Sequence, residues 1–427
     1  MRTRPTHLLP IPGASRGRGK ADRGCAAVGT ALAGALTALA VLAPGAEASA
    51  HRGAAGAASH QRHAHSQHRP TRRATPHGPS AARAALNQRR ALDAYTAMQH
   101  AYYAPASGLY RGSPFALAWP YSQAMAATIS VAALPREHTR YRADLIARLS
   151  GLQAYADHGD PAPAGYAAQA RARAGQSNTR FNDDNEWIAI ELLRLYHLNH
   201  QHALLGAATQ LFGLVTAQWD QRQNVPCPGG VPWQSLKLNG DRNTVTDAPG
   251  AELGAQLYLT TKDAGALGWA TRMYAWTRGC LLHANGLYGD HIDGQGQIDD
   301  TEWTYNQGAM IGAGVMLYRA THDAAYLHQA EATANAALAA FGPAQLAQQP
   351  VYFNAIYIRN LLLLSQASGD ARYQHFAQSF ADDAWRNVRD APSGLFRADP
   401  GGATQLLDQA SMVQVYALLA EPLRAYF

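Results

Sequence analysis

Charge is scarce in this 427-residue chain, at 15% of residues against 47% hydrophobic. That balance excludes chain-wide disorder, since ample apolar surface is available to bury, and the length allows one large domain or two to three ordinary ones. Lysine is scarcer still: beyond Lys20 only Lys237 and Lys262 occur, which leaves little to hold a polyanion. β-Branched residues are sparse and rarely alternate with polar ones, so a sheet of any size is not expected. No Gly-x-Ser-x-Gly elbow, His-Glu-x-x-His zinc motif, P-loop or dinucleotide fingerprint is present, which removes the chemistries those motifs serve. Cysteine is limited to Cys25, Cys227 and Cys280.

The positive charge that does exist is concentrated at one end. Residues 1–83 hold twelve Lys/Arg against Asp22 and Glu47, a net of +10, so the +6 of the whole chain leaves −4 for residues 84–427. A nucleic-acid groove would need the opposite distribution and is excluded as a partner site. Arg2 to Arg23 form a positive segment, Ala26 to Pro44 an apolar run, and Ala46-Glu47-Ala48 and Ala48-Ser49-Ala50 offer small-x-small cleavage patterns. Residues 1–50 therefore read as a secretory signal peptide, with a retained anchor as the alternative. No paired arginine precedes the apolar run and no leucine stands three residues before Cys25, which disfavours twin-arginine export and a lipoprotein anchor. No second stretch is long and apolar enough to span a membrane, so a secreted, extracellular protein without stable membrane insertion is expected. Residues 51–83 carry His51, His60, His63, His65, His68 and His77 among Ala, Arg, Pro, Gly and Ser, without fixed ligand spacing. They read as a solvated spacer rather than a metal site. In an exported protein Cys227 and Cys280 most simply form one disulfide.

From Ala84 the pattern is helical. Tyr141–Leu152, Trp187–His200, Ala203–Trp219, Ala264–Leu282, Met310–Tyr318, Tyr326–Phe341, Ala355–Gln366 and Arg372–Trp385 place apolar residues at i, i+3, i+4 and i+7. A loose repeat punctuates them. Gly108, Gly165, Gly230, Gly286 and Gly394 each precede an apolar residue, at separations of 57, 65, 56 and 108 residues. The last gap is nearly two periods, with Gln349-Pro350-Val351-Tyr352 near its middle as a degenerate sixth turn. Thr261-Lys262-Asp263, Thr321-His322-Asp323 and Ser368-Gly369-Asp370 read as caps of the helices that follow. Six helical hairpins result, in an all-α (α/α)6 toroid occupying residues 84–427. An open α-solenoid is the alternative, and closure is favoured because aromatic and acidic residues cluster at the turns.

Phe181-Asn182-Asp183-Asp184-Asn185-Glu186-Trp187 is the strongest chemical candidate. One aspartate suffices to cap a helix, whereas two adjacent carboxylates resist joint ionisation, so one can stay an acid while its neighbour is an anion. Glycoside hydrolysis requires that division of roles. A second cluster runs from Asp290-His291-Ile292-Asp293 to Trp303-Thr304-Tyr305-Asn306-Gln307-Gly308. An EF-hand fails here, because aligning Gly294 with the sixth loop position puts Gly289 where a carboxylate is required. Trp303, Tyr305, Asn306 and Gln307 suit sugar recognition instead, with flat faces beside amides. Trp119 and Trp233 sit at turns, whereas Trp219, Trp269, Trp276 and Trp385 lie on helical faces as core.

At these residues the chain resembles glycoside hydrolase family 76, the retaining endo-α-1,6-mannanases and their relatives. The resemblance runs in order through Trp119-Pro120-Tyr121-Ser122-Gln123-Ala124, Asp183-Asp184-Asn185-Glu186-Trp187, Gly229-Gly230-Val231-Pro232-Trp233 and Gly286-Leu287-Tyr288-Gly289-Asp290. It continues through Trp303-Thr304-Tyr305-Asn306-Gln307-Gly308, Tyr352 to Asn360 and Asp408-Gln409-Ala410-Ser411. It implies an (α/α)6 barrel, Asp183 as nucleophile, Asp184 as general acid/base, and Asp290, Tyr305 and Gln307 at the −1 subsite. Trp119, Trp187, Trp233, Trp303 and Asn306 complete the expected substrate-binding set. One departure stands out: Arg242-Asn243-Thr244-Val245-Thr246-Asp247 replaces the more usual Lys-Asn…Asn pattern. The expected activity is cleavage of α-1,6-mannosidic bonds in α-mannan by a monomer that needs no cofactor or metal. A wall-glycan transglycosylase of the same family and a non-catalytic glycan-binding toroid are the alternatives. The intact Asp183-Asp184 pair speaks against a pure binder. A lyase or glycuronyl hydrolase of acidic sugars fits the lysine-poor, mildly acidic folded part poorly.

Overall fold

The computed structural model describes residues 80–157, 164–170, 179–235, 240–397 and 403–421. The signal peptide and nearly all of the His-rich spacer lie outside the described residues. Twelve long helices carry the architecture: α1 (Ala81–Tyr102), α2 (Ala118–Ala133), α3 (Arg142–Leu152), α4 (Asn182–Asn199), α5 (His202–Thr216), α6 (Thr244–Thr261), α7 (Ala264–Leu281), α8 (Thr304–Thr321), α9 (Ala324–Ala340), α10 (Val351–Ser368), α11 (Ala371–Asp383) and α12 (Leu406–Ala420). The even-numbered helices pack side by side in the order α2, α4, α6, α8, α10, α12, and α12 returns to α2. Each has an outer partner: α3 on α2, α5 on α4, α7 on α6, α9 on α8 and α11 on α10, while α1 covers α12 and so joins the two ends of the chain. This is the (α/α)6 ring of helical hairpins. The first helix starts at Ala81, inside the spacer expected to run to residue 83. Ser80 caps it, and Arg83 pairs with Asp382 at 3.0 Å.

Inner helices are enclosed by neighbours on every side, so their sequences lack a polar face. Every residue from Thr244 to Leu257 of α6 is buried. Glycine permits the closest crossing: a Cβ on Gly308 of α8 would lie 2.6 Å from the Cα of Tyr357 on α10. The three expected caps are present. Asp263, Asp323 and Asp370 accept from the N–H two residues on at 2.8, 2.9 and 2.9 Å, each following a residue with positive φ (Lys262, His322, Gly369). Such a cap is worth about 1 kcal/mol. Strands among the described residues are two residues long, and the largest sheet joins Arg242–Asn243, His291–Ile292 and Ile298–Asp299.

A recurring bond ties four of the inner helices, α4, α6, α8 and α12, to the glycine turn that precedes each. The fourth residue of α4, Asn185, accepts from Tyr166 N at 2.8 Å and donates to Tyr166 O at 3.0 Å. Gln307, fourth in α8, brackets Tyr288 in the same way at 2.8 and 2.9 Å. Gln409, fourth in α12, accepts from Phe396 N at 2.9 Å and donates to Ala94 O at 2.8 Å. Asp247, fourth in α6, accepts from Val231 N at 3.0 Å. The loose glycine repeat is therefore a structural one at the turns of Gly165, Gly230, Gly286 and Gly394.

Toward the other end of the same helices, Arg194 of α4 donates to Ser130 of α2 at 2.9 Å and lies 3.5 Å from Glu421, which follows α12. Burial raises the Glu421 carboxyl to about 7 from its ordinary 4.5, with Arg194 opposing and Glu191 adding to the rise. An acid with a raised folded-state value binds its proton more tightly when folded. Its contribution is complete below about pH 4.5 and is lost as pH rises through about 7. Glu421→Gln, neutral at every pH, should match the parent's melting temperature near pH 4.5. It should exceed the parent at pH 8 by an amount on the order of 3 kcal/mol. Parallel melting curves for the two proteins across this range would contradict it.

Candidate active site

The first turns of the inner helices lie at one end of the ring, and their positions divide the labour. First and fourth residues bond the scaffold. Asn182, first in α4, donates to Pro232 O at 2.7 Å and accepts from Ser235 Oγ at 2.9 Å, while Thr304, first in α8, donates to Asn354 Oδ1 at 3.0 Å. Second and third residues carry the chemistry-bearing groups: Trp119 on α2, Asp183 and Asp184 on α4, Tyr305 and Asn306 on α8, and Tyr352 and Phe353 on α10. Helix N-termini converging on a cavity favour negative charge there.

Asp183 and Asp184 do not serve as the cap of α4. Phe181 holds that position without a side-chain bond, and Asp183 Oδ1 is buried without a hydrogen-bond partner. Asp184 is shut off from solvent, whereas Asp183 keeps partial access through the cavity although atoms crowd it as densely. Burial pushes the Asp183 carboxyl up to about 7; backbone N–H groups and the Trp233 side chain oppose the rise, and Asp290 adds to it. Asp184 is raised well above the ordinary range by burial and by the charge of Asp183. One negative charge shared by the pair therefore rests on Asp183, the member with hydrogen-bond donors. Glu186 and Asp247, both buried, are also raised by burial, and Asp183 faces Glu186.

Asp290 stands opposite the pair. Its Oδ1 accepts from Tyr305 Oη at 3.1 Å and from Asn306 Nδ2 at 3.3 Å, and its Oδ2 lies 2.9 Å from His291 Nδ1. Ligand atoms of Asp290, His291 and Asp299 lie close enough together to hold a cation. Aromatic rings form two walls. Trp233, 37% exposed, packs on Phe181 at 4.6 Å between ring centroids. Across the cavity Phe353 touches Tyr305 at 4.0 Å, Trp303 at 5.3 Å and Trp119 at 6.1 Å, and Trp119 meets Tyr352 at 5.3 Å.

Most of the expected residues are thus brought together: Asp183, Asp184, Trp119, Trp233, Asp290, Trp303, Tyr305 and Asn306. Two are not. Gln307 is fully buried and its amide is occupied by the backbone of Tyr288 and Trp303, so it cannot also hold a sugar. Trp187 is 3% exposed and lines a small interior cavity with Glu191, Arg359 and Gln414, one turn below the cavity mouth. Phe181, His291, Tyr352 and Phe353 were not singled out for the site. For Tyr352 and Phe353 the available signal was their place in the degenerate sixth turn, which aligns them with Asp183-Asp184 and Tyr305-Asn306. Cys227 and Cys280 are disulfide-bonded, with Cα atoms 6.0 Å apart, behind the turn that carries Trp233.

Comparison with known proteins places these features. Residues 81–394 match the model of glycosyl hydrolase family 76. The chain is 30% identical over 162 residues to mannan endo-1,6-alpha-mannosidase DCW1 of Saccharomyces cerevisiae, covering 34% of this chain and 35% of that one. The Candida albicans protein of the same name is 28% identical over 163 residues, 35% of each chain. The chain thus spans about a third of the length of the curated relatives it matches. Among solved structures, the GH76 α-mannanase BT2949 of Bacteroides thetaiotaomicron superposes with a TM-score of 0.71 at 20% identity, over 78% of this chain and 95% of that one. An inactive variant of the α-1,6-mannanase GH76A of Salegentibacter sp. HEL1_6, with two aspartates replaced by asparagine and α-1,6-mannotriose bound, superposes at 0.67 with 22% identity, over 78% and 99%. The family match spans the ring from α1 to the turn before α12, first-turn aspartates included, and the chain belongs to glycosyl hydrolase family 76.

Proposed function

We propose that this protein hydrolyses α-1,6-mannosidic bonds of α-mannan by double displacement, with Asp183 as nucleophile and Asp184 as general acid/base. The observation that carries the reading is the asymmetry within the pair. Trp233 and backbone N–H groups favour the charge on Asp183, whereas Asp184, more enclosed and facing that charge, keeps its proton. In the first step Asp183 attacks the anomeric carbon while Asp184 gives its proton to the departing glycosidic oxygen. In the second, water attacks the same carbon, its proton passes to Asp184, and Asp183 is released, so configuration is retained. Trp233 on one wall and Trp119, Trp303 and Phe353 on the other offer apolar faces for sugar rings, and Asp290 and Asn306 offer polar ends. The mannotriose complex of the Salegentibacter relative and its inactivation by changes at two consecutive aspartates support the assignment. No described helix is long and apolar enough to cross a membrane. With the leader pattern, that supports an enzyme acting outside the cell.

Asp183→Asn should abolish turnover of α-1,6-mannan without loss of helical circular dichroism. Asp184→Asn should lose a factor of about 10²–10⁴ on mannan, retain glycosylation by aryl mannosides with good leaving groups, and be rescued by azide. Near-parental activity in both variants would move the chemistry elsewhere. The pH profile of kcat/KM should fall on the acid side near pH 7 as the pair gains its second proton.

Tyr305→Phe removes one of the donors that hold Asp290 while leaving the ring against Phe353. A hydrogen bond to a charged group is worth about 1.5–3 kcal/mol. The variant should therefore lose roughly 10- to 100-fold in kcat/KM with unchanged helical circular dichroism. Parental kinetics would place Asp290 outside the reaction.

A further inference from the structure

The turn that delivers Trp233 is held differently from the others. In α4, α8 and α12 an amide brackets its turn, accepting from one backbone N–H and donating to a carbonyl. At the same place in α6 stands a carboxyl, Asp247, which accepts from Val231 N while its Oδ1 is buried without a partner. The missing donors come from Arg242, two residues before α6. Its fully buried guanidinium donates to Cys227 O at 2.6 Å, Gly229 O at 2.9 Å and Pro226 O at 2.9 Å. A planar fork reaches three carbonyls at once, which a single ammonium matches poorly.

The far side of the same turn is sutured to the residue before Asp183. Asn182 N donates to Trp233 O at 2.9 Å, and Trp233 N donates to Asp241 O at 2.8 Å. Nothing in Arg242 or Asp247 need touch substrate for either to matter. We propose that Arg242 and Asp247 are positioning residues that together clamp the turn 226–233 and thereby set the Trp233 indole against Asp183. The inference rests on the reaction proposed above and deepens it, by naming what fixes the donor that keeps Asp183 anionic.

Two readouts test it on the full chain. The groups facing Asp183 besides Trp233 are Asp184 and Glu186 on its own helix, Asp290, and Tyr305 on α8. None of them changes when Arg242 is replaced. Arg242→Met should therefore move the acid limb of kcat/KM upward by about one pH unit, the size of one lost hydrogen bond to a charged acceptor. Trp233→Phe should give the same shift, the double variant no more than Trp233→Phe alone, and Arg242→Lys a partial shift. Asp247→Asn, which keeps the acceptor for Val231 and regains a donor, should leave the limb in place. In 5-fluorotryptophan-labelled protein, the 19F resonance lost in Trp233→Phe should titrate in the parent, cease to titrate in Asp183→Asn, and shift in the Arg242 variants. A lowered melting temperature with an unmoved acid limb and an unmoved resonance, in Arg242→Met and Arg242→Lys alike, would overturn the clamp. So would additive shifts in the double variant. If the parent fails to turn over mannan, the proposed reaction falls, and the fluorine titration still decides whether Arg242 sets Trp233 on Asp183.

Discussion

Burial of carboxyl groups where six helix N-termini meet is the constraint on which the rest of this structure depends. A ring of inner helices closed by an outer layer leaves its first turns at one end, around a cavity too enclosed to hydrate every polar group. A charge there loses water, at a penalty of several kcal/mol unless something replaces it. Helix N-termini, the Trp233 side chain and backbone N–H groups replace part of it for Asp183. Asp184 has little such help, and it therefore holds a proton. The asymmetry that a two-step glycosidase needs thus arises from which member of an adjacent pair meets donors.

The same constraint explains why the scaffold uses amides at the fourth helical position. A glycine turn entering a buried helix brings an N–H and a carbonyl that water cannot reach, and each unsatisfied group costs about 1–3 kcal/mol. Asn or Gln satisfies both with one neutral side chain. Asp247 accepts from the N–H of Val231 and makes no bond to a carbonyl of its turn, and Arg242 supplies donors to the carbonyls of Pro226, Cys227 and Gly229 with its fork. A disulfide between Cys227 and Cys280 and the Trp276 indole, which donates to Cys227 O at 3.3 Å, brace the same segment. The turn bearing Trp233, the most exposed aromatic of the site, is accordingly braced by a guanidinium, an indole and a disulfide.

Much of this was legible in the sequence, and the helix boundaries that were not share one cause. Outer helices such as Ala264–Leu281 and Ala324–Ala340 read almost to their true ends, because one face is wet and the 3.6-residue period survives. Inner helices read short. The apolar pattern of α8 begins at Met310, yet the helix begins at Thr304, since Thr304 to Gln307 are polar and buried together. Helix α6 left no amphipathic trace at all, being enclosed on every side, and it carries Pro249 within its run. Asp183 and Asp184 were legible because two adjacent acids exceed what a cap requires. Gln307 shows a further limit, since residue type does not reveal that its amide is bonded to Tyr288 and Trp303.

Its neighbour Asn306 shows how narrow that distinction is. Both are fully buried amides on the first turn of α8. Gln307, fourth in the helix, turns back over the preceding loop and is consumed by Tyr288 and Trp303. Asn306, third, points to Asp290 and keeps a buried carbonyl oxygen without a partner. A helix advances about 100° per residue, so one step along the chain separates a group that holds the turn from one that faces the cavity. Applied around the ring, that angular rule selects the second and third residues of each inner helix. Those positions hold Trp119, Asp183, Asp184, Tyr305, Asn306, Tyr352 and Phe353, and also Pro120, Val245, Thr246, Leu407 and Asp408, so residue type still decides which of them can meet a sugar. In a fold built from one repeated hairpin, position within the repeat and residue type mark the site together, and the connecting turns add Trp233, Asp290 and Trp303.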